Sequence, residues 1–312
     1  MIFIFGQERD PHVREVAEIL RMQRCSVEII DQWSFDAVAL QYENNAIELV
    51  IGEYRFRVEQ KLNHVFWWRL KGDFSRSVEF KDLQQKVYWT RHWVHLQESI
   101  HRLSSVKSVN APDARMRARL KPVQLAKAWS IGFSIPRTSV GNVIPPKSLG
   151  ESIFFKPLTS DIPAEGASAF PDRFDRSELE ALNENTKLCP SIYQEYCEKQ
   201  YELRVCVFGD NVYSFALDSQ NIEAAKVDWR RVILPDGAIS EVSLSDDEEE
   251  KCRSIVKALG LDYGILDLVR DLSGNLIFLE VNPDGQWLWL QSQTGVDLAG
   301  PFARFLTSFL DA

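Results

Sequence analysis

Residues 264–290, GILDLVRDLSGNLIFLEVNPDGQWLWL, constrain the fold more than any other stretch of the chain. Two apolar runs, 265–270 and 276–281, flank the segment DLSGN at 271–275, whose residue types favour a tight turn. The stretch is therefore predicted to form a β-hairpin.

Polar side chains follow one face of this hairpin. A turn centred between Ser273 and Gly274 places Asp267 opposite Glu280, with Asn282 on the same face because side chains alternate along a strand. Two carboxylates that face each other repel unless a cation lies between them. Mg²⁺ is commonly held by one or two carboxylates together with substrate phosphates, so these three residues are the predicted metal ligands. The alternative to a metal site is that Asp267 and Glu280 are solvated charges on an exposed face of the hairpin.

The composition limits the class of protein. A chain of 312 residues with 45% hydrophobic and 26% charged residues is expected to form two or three compact lobes. The net charge of -9 argues against broad binding of nucleic acid or of anionic membranes. Five cysteines without C-x-x-C spacing indicate neither a disulfide framework nor a zinc site. No apolar run is long enough for a signal peptide or a membrane span, so we expect a cytoplasmic protein.

The first part of the chain has a β-α-β pattern. The apolar opening IFIF is followed by an amphipathic helix and by a strand at 26–30. Strands are predicted at 46–51 and 54–58, and then at 64–69, HVFWWR. Trp67 and Trp68 should point to opposite faces of that strand, so that one packs inward and the other either packs or faces a partner or ligand.

Helical patterns follow at 80–103 and from about Ala114 to Ser130, where Gly132 is a suitable terminator. The strand IFFKPL then carries Lys156 among apolar neighbours, so its ammonium must face an anion or reach solvent. The small-residue loop at 159–172 is predicted to act as a lid.

The C-terminal part is predicted to form an antiparallel sheet from SIYQEYC, LRVCVFG, VYSFALDS and the hairpin. Ser245 and Glu248 form a capping box before a helix that ends at Gly260, so the acidic run DDEEE is interpreted as a helix N-terminus.

The order of the charged residues is typical of an ATP site. Lys121 and Lys156 can neutralise phosphates, Glu195 can pair with the exocyclic amine of adenine, and Glu202 can hold ribose hydroxyls. The sequence contains neither the P-loop motif nor the protein-kinase motifs, so the nucleotide is held in another way.

On these motifs the sequence resembles the ATP-grasp superfamily. Within it, nearly the whole chain is similar to the microviridin-type peptide maturases, the graspetide synthetases, through VFWWR, FFKPL, YQEYCEKQYELRVCVFGDNVYSFALDSQ, KVDWR and NPDGQWLWLQSQTGVDLA. Those enzymes resemble ribosomal-protein glutamate ligases in their ATP site but cross-link a ribosomally made precursor peptide. Two departures, Gln291 in place of a frequent Glu and a longer, more acidic loop after Lys156, put in doubt which peptide is bound.

The resemblance implies an α/β (α+β) chain with the ATP-grasp fold, in which two α+β lobes clamp ATP behind an N-terminal pre-ATP-grasp β-α-β domain. The expected divisions are 1–110, 111–190 (the central lobe) and 191–312 (the C-terminal lobe with the metal site). The residues that it implies are Lys121, Lys156, Glu195, Tyr196, Cys197 and Glu202 for ATP, Asp267, Glu280 and Asn282 for Mg²⁺, and Asp228, Arg230, Lys156 and Arg204 for catalysis. Asp228 and Arg230 are two residues apart in KVDWR, so in an extended segment they would project to the same side.

The implied chemistry is the activation of a carboxylate as an acyl phosphate, followed by attack of a hydroxyl or amine to give an ester or amide. The expected cofactors are ATP and Mg²⁺, as two ions, and the expected partner is a precursor peptide with leader and core, without nucleic acid or membrane. A homodimer is left open. The alternatives are a ligase that adds a free amino acid to a peptide or metabolite, and a peptide-binding module without activity.

Overall fold

The computed structural model describes residues 1–31, 37–43, 45–69, 80–159, 171–181 and 187–310. Its strands are β1 Ile2–Gly6, β2 Val27–Ile30, β3 Val38–Glu43, β4 Ala46–Ile51, β5 Tyr54–Arg57, β6 Val65–Arg69, β7 Lys107–Val109, β8 Thr138–Gly141, β9 Ser152–Pro157, β10 Asp172–Asp175, β11 Ser191–Glu195, β12 Lys199–Phe208, β13 Asn211–Leu217, β14 Ile239–Glu241, β15 Tyr263–Asp271 and β16 Leu276–Asn282. Its helices are α1 Pro11–Met22, α2 Leu83–Leu103, α3 Pro112–Ala118, α4 Lys121–Ile131, α5 Arg176–Ala181, α6 Asp246–Ala258, α7 Leu288–Thr294 and α8 Ala299–Thr307.

The chain divides into two compact units, of which the first comprises 1–116, 261–263 and 284–312. Its parallel sheet has the order β2-β1-β6-β7, and β3, β4 and β5 form an antiparallel meander. The predicted β-α-β opening is confirmed, as are the strands on either side of the Gly52-Glu53 turn.

Both tryptophans of β6 lie in the core of this unit, although they pack on opposite sides of the strand. Trp68 stacks on Phe5 with ring centroids 4.1 Å apart. Trp67 packs on Phe302 and donates to the hydroxyl of Tyr263 at 3.4 Å. Both side chains are fully buried. The expectation of opposite faces is confirmed, and the alternative that one faces a ligand is wrong because β6 is an interior strand with both faces covered.

The second unit comprises 117–260 and 264–283 and contains two sheets. One has the order β10-β9-β11-β8 and the other the order β14-β13-β12-β15-β16. The prediction that SIYQEYC joins the hairpin sheet is wrong, because β11 pairs with β8 and β9. Tyr193 of β11 packs with Ile153 and Leu179, which fixes the strand in the first of these sheets. The short segment after Glu195 then carries the chain into β12 of the other sheet.

The single helix predicted from Ala114 to Ser130 is two helices, α3 and α4. Pro122 lies in the first turn of α4, where its missing N–H has no helical partner to lose, and it cannot continue a helix from α3. Gly132 ends α4 in the left-handed conformation with φ 98°, as predicted.

Helix α6 begins with the predicted capping box, since Ser245 accepts from the main chain of Glu248 and Glu248 accepts from that of Ser245. The helical prediction for 80–103 is confirmed by α2. The predicted lid lies almost wholly outside the described residues. None of the helices in the described ranges is both long and apolar enough to cross a membrane.

Candidate functional site

Strands β15 and β16 bring the three predicted metal ligands together. Asp267 is the cross-strand partner of Glu280, as expected from the sequence. Asn282 lies on the same face, and its amide nitrogen donates to Asp267 Oδ2 at 2.9 Å. Because that bond engages the nitrogen, the amide presents its oxygen on the other side.

The predicted turn centre between Ser273 and Gly274 is wrong, because Arg270 pairs with Leu276 and the turn is centred on Ser273. Asp267 still pairs with Glu280 because of a β-bulge that the sequence argument did not include. Leu268 pairs with Phe278, whereas Asp267 pairs with Glu280, so Leu279 is an extra residue in β16. Continuing the ladder from the turn without the bulge would have placed Leu279 opposite Asp267. The bulge therefore adds an apolar side chain to the face that carries Glu280.

Glu280 is the common anion of a cationic cluster. One carboxylate oxygen lies 3.6 Å from Lys121 Nζ and the other 3.5 Å from Arg230 Nη1. Burial by itself would raise the pKa of Glu280, but the positive charges of Lys121, Lys156, Arg230 and Arg204 outweigh it and lower the pKa to about 2. The carboxylate is therefore ionised at neutral pH.

Asp267 has a cation of its own. Arg204 Nη1 of β12 donates to Asp267 Oδ1 at 2.5 Å, and both side chains are largely buried. The repulsion between Asp267 and Glu280 expected from the sequence is thus offset by protein cations, even before any metal binds. The cluster of four cationic side chains and three carboxylates, Asp228 included, carries a surplus of positive charge that suits a polyphosphate.

Lys156 approaches Glu280 from β9. The residue is 6% exposed, and its ammonium lies 5.5 Å from the ring centroid of Phe154. Burial lowers the pKa of Lys156, and the charge of Glu280 opposes that shift. Lys121 Nζ donates to the carbonyl of Pro157 at 3.3 Å, next to Lys156 along the chain. Lys121 therefore contacts Glu280 directly, and Lys156 interacts with the same carboxylate through its charge.

Glu202 is buried at the other side of the pocket. Its Oε1 accepts from Lys199 Nζ at 2.6 Å and from the hydroxyl of Ser219 at 3.1 Å. Burial raises the pKa of Glu202, and the Lys199 charge partly compensates. The carboxylate is held in one orientation, as recognition of a pair of hydroxyls requires.

The segment after β11 offers its main chain rather than the carboxylate of Glu195. Arg137 donates to that carboxylate from its main-chain nitrogen at 2.8 Å and from Nε at 2.5 Å. The main-chain nitrogen of Tyr196 donates to the carbonyl of Ser152 at 3.2 Å, so an adenine edge would be read by the remaining backbone groups at Tyr196 and Cys197. Burial raises the pKa of the Cys197 thiol to about 11, so the thiol is neutral and a poor nucleophile at pH 7.

Asp228 and Arg230 meet in a tight turn, not in the extended segment assumed from the sequence. Trp229–Arg231 is a 3-10 helix capped by Asp228, which accepts from the main-chain nitrogen of Arg230 at 3.1 Å. The guanidinium donates to Asp228 twice, from Nε at 2.8 Å and from Nη2 at 3.0 Å. Burial would lower the pKa of Arg230, but these bonds raise it. Its side chain is still 42% exposed, so it can reach a further ligand.

One pocket between the two sheets of the second unit gathers most of these residues. Its polar walls are Lys156, Gln194, Glu195, Tyr196, Cys197, Lys199, Glu202, Asp228, Arg230, Asp267 and Glu280. Its apolar walls include Phe154, Val269, Leu279 and Trp229. Three predicted residues do not line the pocket but contact Glu280 or Asp267, which do: Lys121, Arg204 and Asn282.

Three residues that hold the site were not identified from the sequence: Arg137, Lys199 and Ser219. Arg137 and Glu195 are 58 positions apart, so only their strand pairing could have linked them. Lys199 is three positions before Glu202, a spacing that on a regular strand would put the two side chains on opposite faces.

The donor set fits a hard divalent ion in its chemistry. Asp267, Glu280 and Asn282 offer only oxygen ligands, which Mg²⁺ prefers, and two carboxylates leave positions for phosphate oxygens. Within the described ranges, no group of three or more His, Cys, Asp and Glu side chains is arranged to hold a metal by itself. A metal here would depend on a bound nucleotide for the rest of its ligands.

The sequence comparisons agree with this geometry. A family model for the RimK-like ATP-grasp domain matches residues 172–306. A "Probable alpha-L-glutamate ligase" from Shewanella pealeana is 27% identical over 222 residues, which are 68% of this chain and 44% of that protein. The chain therefore spans less than half the length of this curated relative.

Solved structures share the fold along nearly the whole chain. A RiPP-associated ATP-grasp ligase from Chryseobacterium gregarium, in complex with ADP and a leader and core peptide, has a TM-score of 0.79 at 23% identity and covers 99% of this chain and 96% of its own. The ATP-grasp ligase PsnB, complexed with minimal precursor, Mg and ADP, has a TM-score of 0.77 at 20% identity, covering 99% and 97%. The chain has the ATP-grasp fold of these structures, and its residues 172–306 match the model of the RimK-like ATP-grasp domain.

Proposed function

We propose that this chain is an ATP-dependent, ADP-forming ligase that activates Asp or Glu side-chain carboxylates of a ribosomal precursor peptide and closes ester or amide cross-links. The observation that carries the proposal is the position of Glu280, which lies between Lys121 and Arg230 and lines the same pocket as the buried Lys156. This arrangement puts phosphate-binding lysines and a partly exposed arginine around one ionised carboxylate.

The nucleotide would lie in the pocket between the two sheets. The main chain at Tyr196 and Cys197 would pair with adenine, Glu202 would hold the ribose, and Lys121 and Lys156 would face the phosphates. Asp267, Glu280 and Asn282 would hold Mg²⁺, which we propose to be two ions. The metal supplies neutralisation of the charge on the transferring phosphoryl group.

The reaction would join a carboxylate to a hydroxyl or amine in two displacements. A carboxylate oxygen of the peptide, held by Arg230, attacks the γ-phosphorus of ATP, the bond to the β-phosphate oxygen breaks, and ADP leaves. A hydroxyl or amine then attacks the carbonyl carbon of the acyl phosphate, the bond from that carbon to the phosphate oxygen breaks, and phosphate leaves with the proton of the nucleophile. Lys156, Arg204 and Arg230 would stabilise the negative charge of the transferring phosphoryl group. The two displacements require no covalent enzyme intermediate.

A peptide substrate is supported by two kinds of solved relatives, one bound to a leader and core peptide and the other to a minimal precursor. The runner-up is a ligase that adds a free amino acid, and it is favoured by the named function of the Shewanella relative. The ATP-site residues do not separate the two functions, since both would activate a carboxylate in the same way.

We also propose the division into 1–110, 111–190 and 191–312, with the last two as the lobes on either side of ATP. A homodimer is the proposed assembly. The cytoplasm is the proposed compartment, which suits the free cysteines in the described residues.

Mass spectrometry of a co-expressed candidate precursor tests the function. The candidate is a short product of a neighbouring gene, rich in Thr or Ser and in Glu or Asp. Under the proposal each ring removes one water from the peptide mass, and ADP forms only when the peptide is present. A mass gain of one amino-acid residue would favour the runner-up. An unchanged peptide with no peptide-dependent ADP would refute both ligase functions for that precursor.

A further inference from the structure

Arg231, the residue after Arg230, ties the 3-10 turn to the other sheet. Its Nη2 donates to the carbonyl of Pro171 at 2.7 Å and lies 2.9 Å from Asp172 Oδ1. Asp172 is the first residue of β10. The turn that carries Arg230 is therefore fastened to the edge strand of the sheet that carries Lys156.

The register of that edge strand places the tie next to the phosphate lysine. Asp172 pairs with Phe155, the residue before Lys156 in β9. A displacement of β10 relative to the turn would change the distance between Lys156 and Arg230. In the proposed reaction these two side chains bind the nucleotide phosphates and the attacking carboxylate, respectively.

A second set of contacts joins the same sheet to the segment just before the turn. The hydroxyl of Tyr196 donates to the carbonyl of Lys226 at 3.3 Å, just before the turn. Arg173 of β10 lies 4.6 Å over the ring of Tyr196 and donates to the hydroxyl of Ser152 at 2.6 Å. Strand β10 thus contributes neighbouring residues, Asp172 and Arg173, to both connections.

We infer that Arg231 is a positioning residue, which holds Arg230 at the distance from Lys156 that carboxylate attack on the γ-phosphate requires. The inference rests on the proposed function. Arg231 does not line the pocket, so it acts through Arg230 and not on the reactants. Small misplacements of reacting groups lower rates strongly, which makes such a tie important for turnover even where it adds little to stability.

The solvent exposure of Arg231 and Asp172 is consistent with a role in positioning Arg230. The side chains of Arg231 and Asp172 are 32% and 48% exposed, respectively. An ion pair with that much exposure contributes little to folding, so its removal should leave a folded protein. A loss of activity in Arg231→Gln would then report on position and not on stability.

The test measures turnover and nucleotide binding separately. Arg231→Gln should lower kcat for peptide-dependent ADP formation by about tenfold or more, the scale expected of a misplaced reacting group. The Kd for a non-hydrolysable ATP analogue should stay close to the wild-type value, because the nucleotide residues remain held by their own sheets. Arg253→Gln removes a comparable surface arginine from α6 and should leave both quantities unchanged.

A double-mutant cycle separates the tie from a general effect of charge. Asp172→Asn should lower kcat by itself and should add little in the Arg231→Gln background, because the two residues act through one contact. Additive effects of the two substitutions, wild-type kcat in Arg231→Gln, or a loss of kcat explained entirely by weaker nucleotide binding would each overturn the inference.

Hydrogen exchange tests the role of Arg231 independently of the proposed function. With the ATP analogue and Mg²⁺ bound, Arg231→Gln should speed amide exchange in residues 226–232 and 171–175 relative to wild type, whatever the substrate. If the wild-type protein shows no peptide-dependent ADP formation, the proposed function fails while this arm still tests the tie. Unchanged exchange in both segments would show that Arg231 does not hold them together.

Discussion

Asp267 and Glu280 are cross-strand partners, and a single inserted residue in β16 sets that register. The bulge at Leu279 places an apolar side chain beside Glu280, and both line the pocket. Bulges often change the direction of side chains next to functional sites. This bulge places an apolar and a charged residue next to each other in the pocket wall.

Replacing Glu280 should change how stability depends on pH. Its pKa in the folded protein, about 2, is below the ordinary 4.5, so the stability it contributes is present above pH 4.5 and is lost as the pH falls through about 2. The shift corresponds to about 3 kcal/mol in the free energy of unfolding. Glu280→Gln should lose about that amount at pH 7 and should show a flatter pH dependence in urea unfolding. The exposed Glu241→Gln is the control, and equal pH dependence in the two variants would contradict the assignment.

The hairpin shows which features of the site could be predicted from the sequence. The turn residues and apolar runs predicted both strands, and the face shared by Asp267, Glu280 and Asn282 followed from alternation. The bulge could not be predicted, because nothing local distinguishes Leu279 from its neighbours. The cations around Glu280 come from β9, α4 and the 3-10 turn, and only the tertiary fold brings them together.

Other errors have local causes. The break between α3 and α4 could have been inferred from Pro122, which favours the first turn of a helix. The burial of both Trp67 and Trp68 could not, since it depends on β6 being an interior strand. The contact of Asp228 with Arg230 was expected for an extended segment, but it arises because an aspartate caps a turn.

Asp267→Asn should abolish ATP turnover through the metal. The substitution removes one of the two proposed carboxylate ligands and the charge that Arg204 Nη1 contacts. We expect ADP formation to fall by about 100-fold or more, because the loss of a group that only supports a metal ligand already costs about 10- to 100-fold. The measurement is ADP production against Mg²⁺ concentration. Wild-type ADP production at saturating Mg²⁺ would contradict the metal assignment.

Lys156→Met should weaken ATP binding by about 2 kcal/mol, the range for a desolvated charge-assisted bond. Burial lowers the Lys156 pKa in the free protein, and an adjacent phosphate would raise it, so nucleotide binding should be coupled to proton uptake. Wild-type affinity should therefore fall as the pH rises through the lowered pKa. Calorimetry in buffers of different ionisation enthalpy measures the uptake. Lys251→Met on α6 is the control, and unchanged affinity in Lys156→Met would exclude the phosphate role.

Glu202→Gln should reduce the ability to distinguish ATP from its deoxy analogues. Lys199 and Ser219 fix the carboxylate, which we propose accepts from the ribose hydroxyls. The variant should lose about 1–2 kcal/mol in ATP binding and much less in binding of the analogue that lacks the contacted hydroxyl. Titrations with ATP, 2′-deoxy-ATP and 3′-deoxy-ATP give the comparison. An equal loss for all three nucleotides would make Glu202 a structural residue.

Arg230→Lys should separate carboxylate binding from nucleotide binding. Asp228 engages Nε and Nη2 of Arg230, and Nη1 lies 3.5 Å from Glu280. The side chain is 42% exposed, so a peptide carboxylate can approach it. A lysine keeps the charge but cannot bind Asp228 and a carboxylate in the fixed planar geometry of a guanidinium. We expect cross-linking of the precursor to fall by about tenfold or more while ATP affinity changes far less than in Lys156→Met.

Asp228→Asn should give a similar but smaller defect, because Arg230 keeps its charge and loses its orientation. The measurements are ring formation by mass spectrometry and ATP-analogue binding by calorimetry for the same preparations. If Arg230→Lys modifies the peptide at the wild-type rate, or if weaker nucleotide binding accounts for its whole defect, Arg230 does not hold the substrate carboxylate.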